Sequence, residues 1–174
     1  MTIESPAFPP GGTIPNRFTC FGDNRSPPLT FRDVPTAAKS LTLMMDQRHT
    51  PRDFRNPWVL FNINPTVEKM EEGVVAPPGA HPGANHWGQI GYHGPHFEGD
   101  RVYFFRLFAL DCELYLPDGA TSARVLDAMG GHVLAKAEMW GSYDPPVEPT
   151  APAASRPAED SAHKTSPTRG DAPP

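Results

Sequence analysis

The clearest hydrophobic pattern in the chain is at residues 102–110, VYFFRLFAL, where apolar positions fall on both alternating faces. In an extended strand Tyr103, Phe105, Leu107 and Ala109 point one way, and Phe104, Phe108 and Leu110 point the other, with Arg106 the one charge on that second side. A strand apolar on both faces is expected at the centre of a sheet that is covered on both sides. Residues 41–45 and 58–63 (WVLFNI) have the same double-sided character. Shorter strands are expected at residues 18–20, 30–31 and 138–140. One helix stands out: Thr121 and Ser122 offer an N-cap, Val125, Leu126 and Met129 space out an apolar face, and Gly130-Gly131 supply the stop. A second short helical turn is expected at residues 132–136. Between these elements, residues 66–92 hold five Gly and three Pro, a long connection of the kind that carries function or covers a surface. Strands followed by late helices predict a mainly β domain and not a βαβ array.

Composition divides the chain. Eight of the thirty residues at 145–174 are Pro, and that stretch has no aromatic residue and Val147 as its one aliphatic residue beyond Ala. Such a segment has too little apolar surface to offset the entropy of ordering it, so a disordered tail is expected after a domain at residues 1–144. The net charge of −5 is spread without long blocks of one sign, and at a pI near 5.8 the chain has no electrostatic reason to seek nucleic acid or anionic lipid. Residues 1–16 contain no Lys or Arg and no apolar run of seven, which reads as no secretion signal. No apolar stretch approaches the roughly 20 residues of a membrane span. The two cysteines, Cys20 and Cys112, are then expected as reduced thiols in a cytoplasmic protein. There is no CxxC, no HExxH and no pair of ligand clusters at metal spacing, so neither a metal nor a cofactor is expected.

Several blocks follow one another in a telling order: Thr19-Cys20-Phe21-Gly22-Asp23-Asn24-Arg25-Ser26-Pro27-Pro28-Leu29, Val34-Pro35, Trp58-Val59-Leu60-Phe61-Asn62-Ile63, Gly91-Tyr92-His93-Gly94-Pro95, the strand ending Ala109-Leu110-Asp111, and Gly130-Gly131-His132-Val133-Leu134-Ala135. This series resembles the phosphatidylethanolamine-binding protein family, in its bacterial branch labelled Raf-kinase-inhibitor-like. The resemblance covers residues 13–143. It implies a large central β-sheet packed on a smaller sheet, short C-terminal helices, and a small anion-accepting pocket built by loops at one end of the sheet.

The chain departs from the family in that pocket. Where the family reads Asp-Pro-Asp-x-Pro, this sequence has Gln47-Arg48-His49-Thr50-Pro51. The family's His-Trp is Pro57-Trp58, and its His-Arg-Tyr is Arg101-Val102-Tyr103. Trp58, Gly94, Pro95 and Tyr103 carry over, whereas the Asp and both His do not. Arg101 would bring a permanent cation with a bidentate fork suited to carboxylate or phosphate. Gln47 would replace an acceptor with an amide that also donates. His49, His96 and Glu98 are the candidate proton carriers.

Three readings follow. In the first, the pocket binds a small organic anion through Gln47, Trp58, Gly94, Pro95, Arg101 and Tyr103. In the second, His49, His96 or Glu98 performs cofactor-independent acid–base chemistry on a small metabolite, such as isomerisation, dehydration, hydrolysis or ring closure. In the third, the chain regulates by binding another protein and the pocket is vestigial. Outside the pocket, His132 reads as structural, His81, His86 and His93 read as exposed loop residues, and Ser26-Pro27-Pro28 is a turn and no nucleophile elbow.

Overall fold

The double-sided apolar runs form the middle of an antiparallel sheet. The computed structural model describes residues 1–50, 53–96 and 102–144, and for residues 48–50, 53 and 54 the backbone alone. Its strands are β1 (Thr2–Glu4), β2 (Leu29–Arg32), β3 (Ser40–Thr50), β4 (Asp53–Ile63), β5 (Lys69–Met70), β6 (His81–Pro82), β7 (Val102–Leu110) and β8 (Val133–Ser142), with one α-helix, α1 (Ser122–Ala128), before the last strand. A five-stranded sheet runs β6-β4-β3-β7-β8 and a three-stranded sheet runs β1-β2-β5. The expected fold is the observed one: mainly β, two sheets of unequal size, and a short late helix. The reading of residues 145–174 as a tail lies outside the described residues.

The core follows from strand alternation. Leu41, Leu43 and Met45 of β3 share the inner face with Trp58 and Leu60 of β4 and with Tyr103, Phe105 and Leu107 of β7, and they pack against Ile3, Leu29, Phe31 and Met70 of the small sheet. On the outer face Met44, Val59, Phe61 and Leu110 meet Leu114, Val125 and Met129, so α1 covers that side of the sheet. The helix starts where its sequence signal placed it. Thr121 is the N-cap and its hydroxyl accepts from the Arg124 N–H at 3.4 Å.

Three expectations are corrected. Residues 18–20 form no strand. Pro15 leads into a 3-10 turn at Asn16–Phe18, and the Phe18 and Thr19 N–H groups close back on Pro15 and Asn16. Residues 132–136 form no helical turn. Gly131 takes φ +80°, the chain reverses, and β8 begins at Val133, with Ala137, Met139 and Gly141 buried and Lys136, Glu138 and Trp140 exposed between them. The sequence 102–110 is not the central strand, since β3 holds that place, and its outer face is only partly covered: Leu110 is buried in the cluster under α1, whereas Phe104, Arg106 and Phe108 are half-buried. On that open side the Arg106 guanidinium bridges the buried Asp46 carboxylate and Glu138 (2.8 Å), and Asn56 donates to the other Asp46 oxygen.

Candidate functional site

The end of the inner face where β3, β4 and β7 converge gathers the polar residues. Gln47 is paired with Tyr103 on one side and Arg55 on the other, so all three share the inner face. Arg55 reaches that face through an irregularity. Trp58 opposes Met45 and Arg55 opposes Gln47, so β4 spends three steps where β3 spends two. The extra residue falls at Asn56-Pro57, where a proline without an N–H is tolerated. The bulge sends Asn56 to the outer face, where it meets Asp46, and returns Arg55 to the inner one.

Tyr103 is fully buried, and its hydroxyl accepts from the His96 N–H (3.0 Å) and donates to the His96 carbonyl (2.9 Å). Burial pushes the phenol up to about 12, against a smaller lowering by the His96 backbone bond and the Arg55 charge, so it stays protonated. The segment before His96 is laced to the loop after the 3-10 turn. The Gly94 N–H donates to Asn24 Oδ1 at 2.7 Å, the Cys20 N–H donates to the Pro95 carbonyl at 3.2 Å, and the half-buried Tyr92 donates its hydroxyl to the Phe18 carbonyl at 2.5 Å. Trp58 is fully buried edge-on to Tyr92, with ring centroids 5.2 Å apart. Its indole N–H has no hydrogen-bond partner among the described residues.

Aromatic rings continue the corner outward. Phe21 stacks on His96 at 6.3 Å and on Tyr143 at 5.9 Å, and Trp87 lies between His86 and His93. His93, expected as an exposed loop residue, is half-buried in this cluster. Burial lowers its pKa, outweighing the opposing hydrogen bond to the Gly94 carbonyl, and the neighbouring His96 adds a smaller lowering, so the imidazole is neutral at neutral pH. His132, read as structural, is exposed and sets its Nδ1 2.8 Å from Asp111 Oδ1, and His81 pairs with Asp118 at 2.6 Å.

Of the residues singled out in the sequence, Gln47, Trp58, Gly94, Pro95, His96 and Tyr103 come together at this corner. His49 is in β3, but its side chain is outside the described residues, as are Glu98 and Arg101 entirely. Arg55, Tyr92 and Asn24 belong to the corner and were not foreseen in it. Alternation puts Arg55 on the wrong face, and Pro57 inside an apolar strand was the available sign of a bulge.

Removal of the Tyr103 hydroxyl tests how firmly the corner is built. Tyr103→Phe leaves the His96 N–H and carbonyl without their partner, and the expected loss is about 1–3 kcal/mol. Urea denaturation monitored by circular dichroism would measure it, and a loss below about 0.5 kcal/mol would mean that water replaces the hydroxyl at once.

A two-sheet antiparallel β domain with a loop-built corner at the end of its larger sheet is the class that these features define. The chain belongs to the phosphatidylethanolamine-binding protein family, whose family model matches residues 4–144. A UPF0098 protein of Methanothermobacter thermautotrophicus is 45% identical over 148 residues, covering 82% of this chain and 98% of that protein. A UPF0098 protein of Chlamydia muridarum is 38% identical over 150 residues, covering 83% and 99%. A crystal structure of a phosphatidylethanolamine-binding protein homolog from Chlamydia trachomatis superposes with a TM-score of 0.74 at 37% identity, covering 82% of this chain and 96% of that one. The E. coli protein YbcL, at 24% identity and the same TM-score, shares the fold. Among the described residues no helix is long and apolar enough to cross a membrane.

Proposed function

We propose that this protein binds a small organic anion, a carboxylate or a phosphate ester, at the corner formed by Gln47, Arg55, Trp58, Tyr103 and the Gly94-Pro95 segment. The observation that carries the reading is the placement of Arg55. A bulge brings a permanent cation to the inner face beside the Gln47 amide, close enough to act electrostatically on the Tyr103 phenol. The family's acidic pocket lining is absent from this chain, and a guanidinium with neighbouring neutral donors suits an anion. The buried Trp58 indole N–H, which has no acceptor among the described residues, adds a donor of the same polarity. Arg101, two positions before Tyr103 in sequence, is the second cation assigned to this ligand.

The test is a thermal-shift series with inorganic phosphate, phosphoethanolamine and small dicarboxylates. A true ligand stabilises by RT ln(1 + [L]/Kd), about 2.7 kcal/mol at a hundredfold excess over Kd. Arg55→Met and Arg101→Met should each abolish the shift while leaving the unliganded melting temperature near that of the parent. Shifts that survive both substitutions would remove the cation clamp from the account.

The imidazoles support a second reading, cofactor-independent acid–base chemistry on the bound anion. His93 is held neutral, and its ring centroid lies 6.4 Å from that of His96. In that reading His49, His96 and Glu98 move the proton, and turnover unchanged in both His49→Ala and His96→Ala would exclude the two histidines.

A further inference from the structure

We propose that Asp111, Cys112 and His132 form a binding site for a divalent transition metal of the zinc type. The site is independent of the anion corner, because Tyr103 is near the start of β7 and Asp111 follows its end, so most of the strand separates them. One donor atom from each of the three residues lies within 4.8 Å of the other two. Tetrahedral zinc, with bonds of about 2.0–2.3 Å to oxygen, nitrogen and sulfur, places its ligand atoms roughly 3.3–3.8 Å apart.

The backbone that carries the donors is already fixed. Asp111 and His132 end and precede two neighbouring strands, and the Asp111 N–H donates to the His132 carbonyl at 3.1 Å. The Cys112 carbonyl accepts the Ser40 hydroxyl at 2.5 Å, which ties the third ligand to the start of β3. Gly131 at φ +80° and the His132 N–H bond to Met129 set the turn from which the imidazole projects. The Asp111–His132 pair, 2.8 Å apart, holds carboxylate and imidazole together next to the thiol.

The donor set selects the ion. One sulfur, one imidazole nitrogen and one carboxylate oxygen match zinc and its neighbours in the transition series, whereas calcium and magnesium take oxygen ligands almost exclusively. Three protein ligands leave a fourth position for water or an exogenous group. A surface His–Asp pair by itself would be an ordinary ion pair; the thiol makes it a ligand set. Spacing along the chain conceals it, because about twenty residues, including α1, separate Cys112 from His132, and the pairing of β7 with β8 closes that gap.

Titration of the full chain with zinc chloride and with cobalt chloride tests the site. We expect one zinc per chain by calorimetry, and for the cobalt form a thiolate-to-metal charge-transfer band in the near ultraviolet. Cys112→Ser should abolish the band, and Cys112→Ser, His132→Ala and Asp111→Asn should each weaken zinc binding by at least about tenfold. Cys20→Ser should change neither. No charge-transfer band in the parent, a band that survives Cys112→Ser, or zinc held equally by the parent and all three ligand variants would overturn the proposal. The conservative Asp111→Asn variant keeps the measurement decisive if the histidine variant fails to fold.

Discussion

Replacing Arg106 by methionine should lower stability at neutral pH by about 3–5 kcal/mol, the effect of leaving one buried charge without its partner. The charge is Asp46, which is 4% exposed on the open half of the outer face. Burial pushes its carboxyl above the ordinary carboxylate range, and the Arg106 charge and the hydrogen bonds from Asn56 and Arg106 only partly offset this. The folded protein therefore holds the Asp46 proton at pH values where the unfolded chain has lost it. This group's contribution to stability falls as pH rises from the ordinary carboxylate value through its raised folded one. Without Arg106 the folded value rises further, so the Arg106→Met variant should regain part of its stability on acidification. Glu138 works in the opposite sense. Partial burial pushes it up, but the Arg106 hydrogen bond and charge, with Lys136, hold it below its usual value, and its contribution is lost as pH falls through that lowered value. Glu138 is a third exposed, so solvent screens much of this, and the Asp46 trend should dominate the variant's pH profile. Urea denaturation across mildly acid to neutral pH would show it. An Asp46→Asn/Arg106→Met double variant should recover most of the loss, and a double variant no better than Arg106→Met would mean that the guanidinium acts by packing on Phe104 and not by charge.

Much of this fold is legible from alternation, because a sheet buried between two layers writes its faces into the chain at a period of two. Residues 102–110 coincide with β7, and β3 and β4 extend the predicted runs at 41–45 and 58–63 toward the corner. The extensions are polar (Asp46, Gln47 and Arg48 on β3; Arg55 and Asn56 on β4), and hydrophobic pattern cannot see a strand where it leaves the core. Short edge strands escaped for a related reason. β5 and β6 are two residues each and are defined by their partners in space, not by any local run. The candidate corner was half legible. Tyr103, Trp58, Gly94 and Pro95 were found by resemblance, whereas Arg55 was hidden by the Pro57 bulge, which inverts the parity that places a side chain on one face or the other. A second bulge at Asn62, at φ +54°, does the same at the far end of β4 and is pinned by two bonds: the Asn62 amide donates to the Leu114 carbonyl, and the Leu114 N–H donates to Asn62 Oδ1.

Gly94 has no room for a side chain, and Gly94→Ala should lower the melting temperature by roughly 3–10 °C and remove anion-induced stabilisation altogether. The reason is space, not backbone freedom. A Cβ at Gly94 would lie 2.4 Å from the Phe18 carbonyl oxygen and 2.7 Å from Thr19 Cα, and both are main-chain atoms with no rotamer to give way. The two segments must separate, and the bonds between them fail together: Gly94 to Asn24, Cys20 to Pro95, and Tyr92 to Phe18. Movement of residues 94–96 also draws His96 away from the Tyr103 hydroxyl, so the change reaches the floor of the proposed ligand site. Gly88→Ala supplies the contrast. That glycine has open space around it but φ +77°, so an alanine there meets only the left-handed backbone penalty, about 1–2 kcal/mol. Its effect should be on melting temperature alone, with the anion shifts retained. Equal loss of the anion shift in both variants would mean that the response tracks general stability. Loss in Gly94→Ala alone would tie it to the contact between residues 18–19 and 94, where two loops pack main chain to main chain.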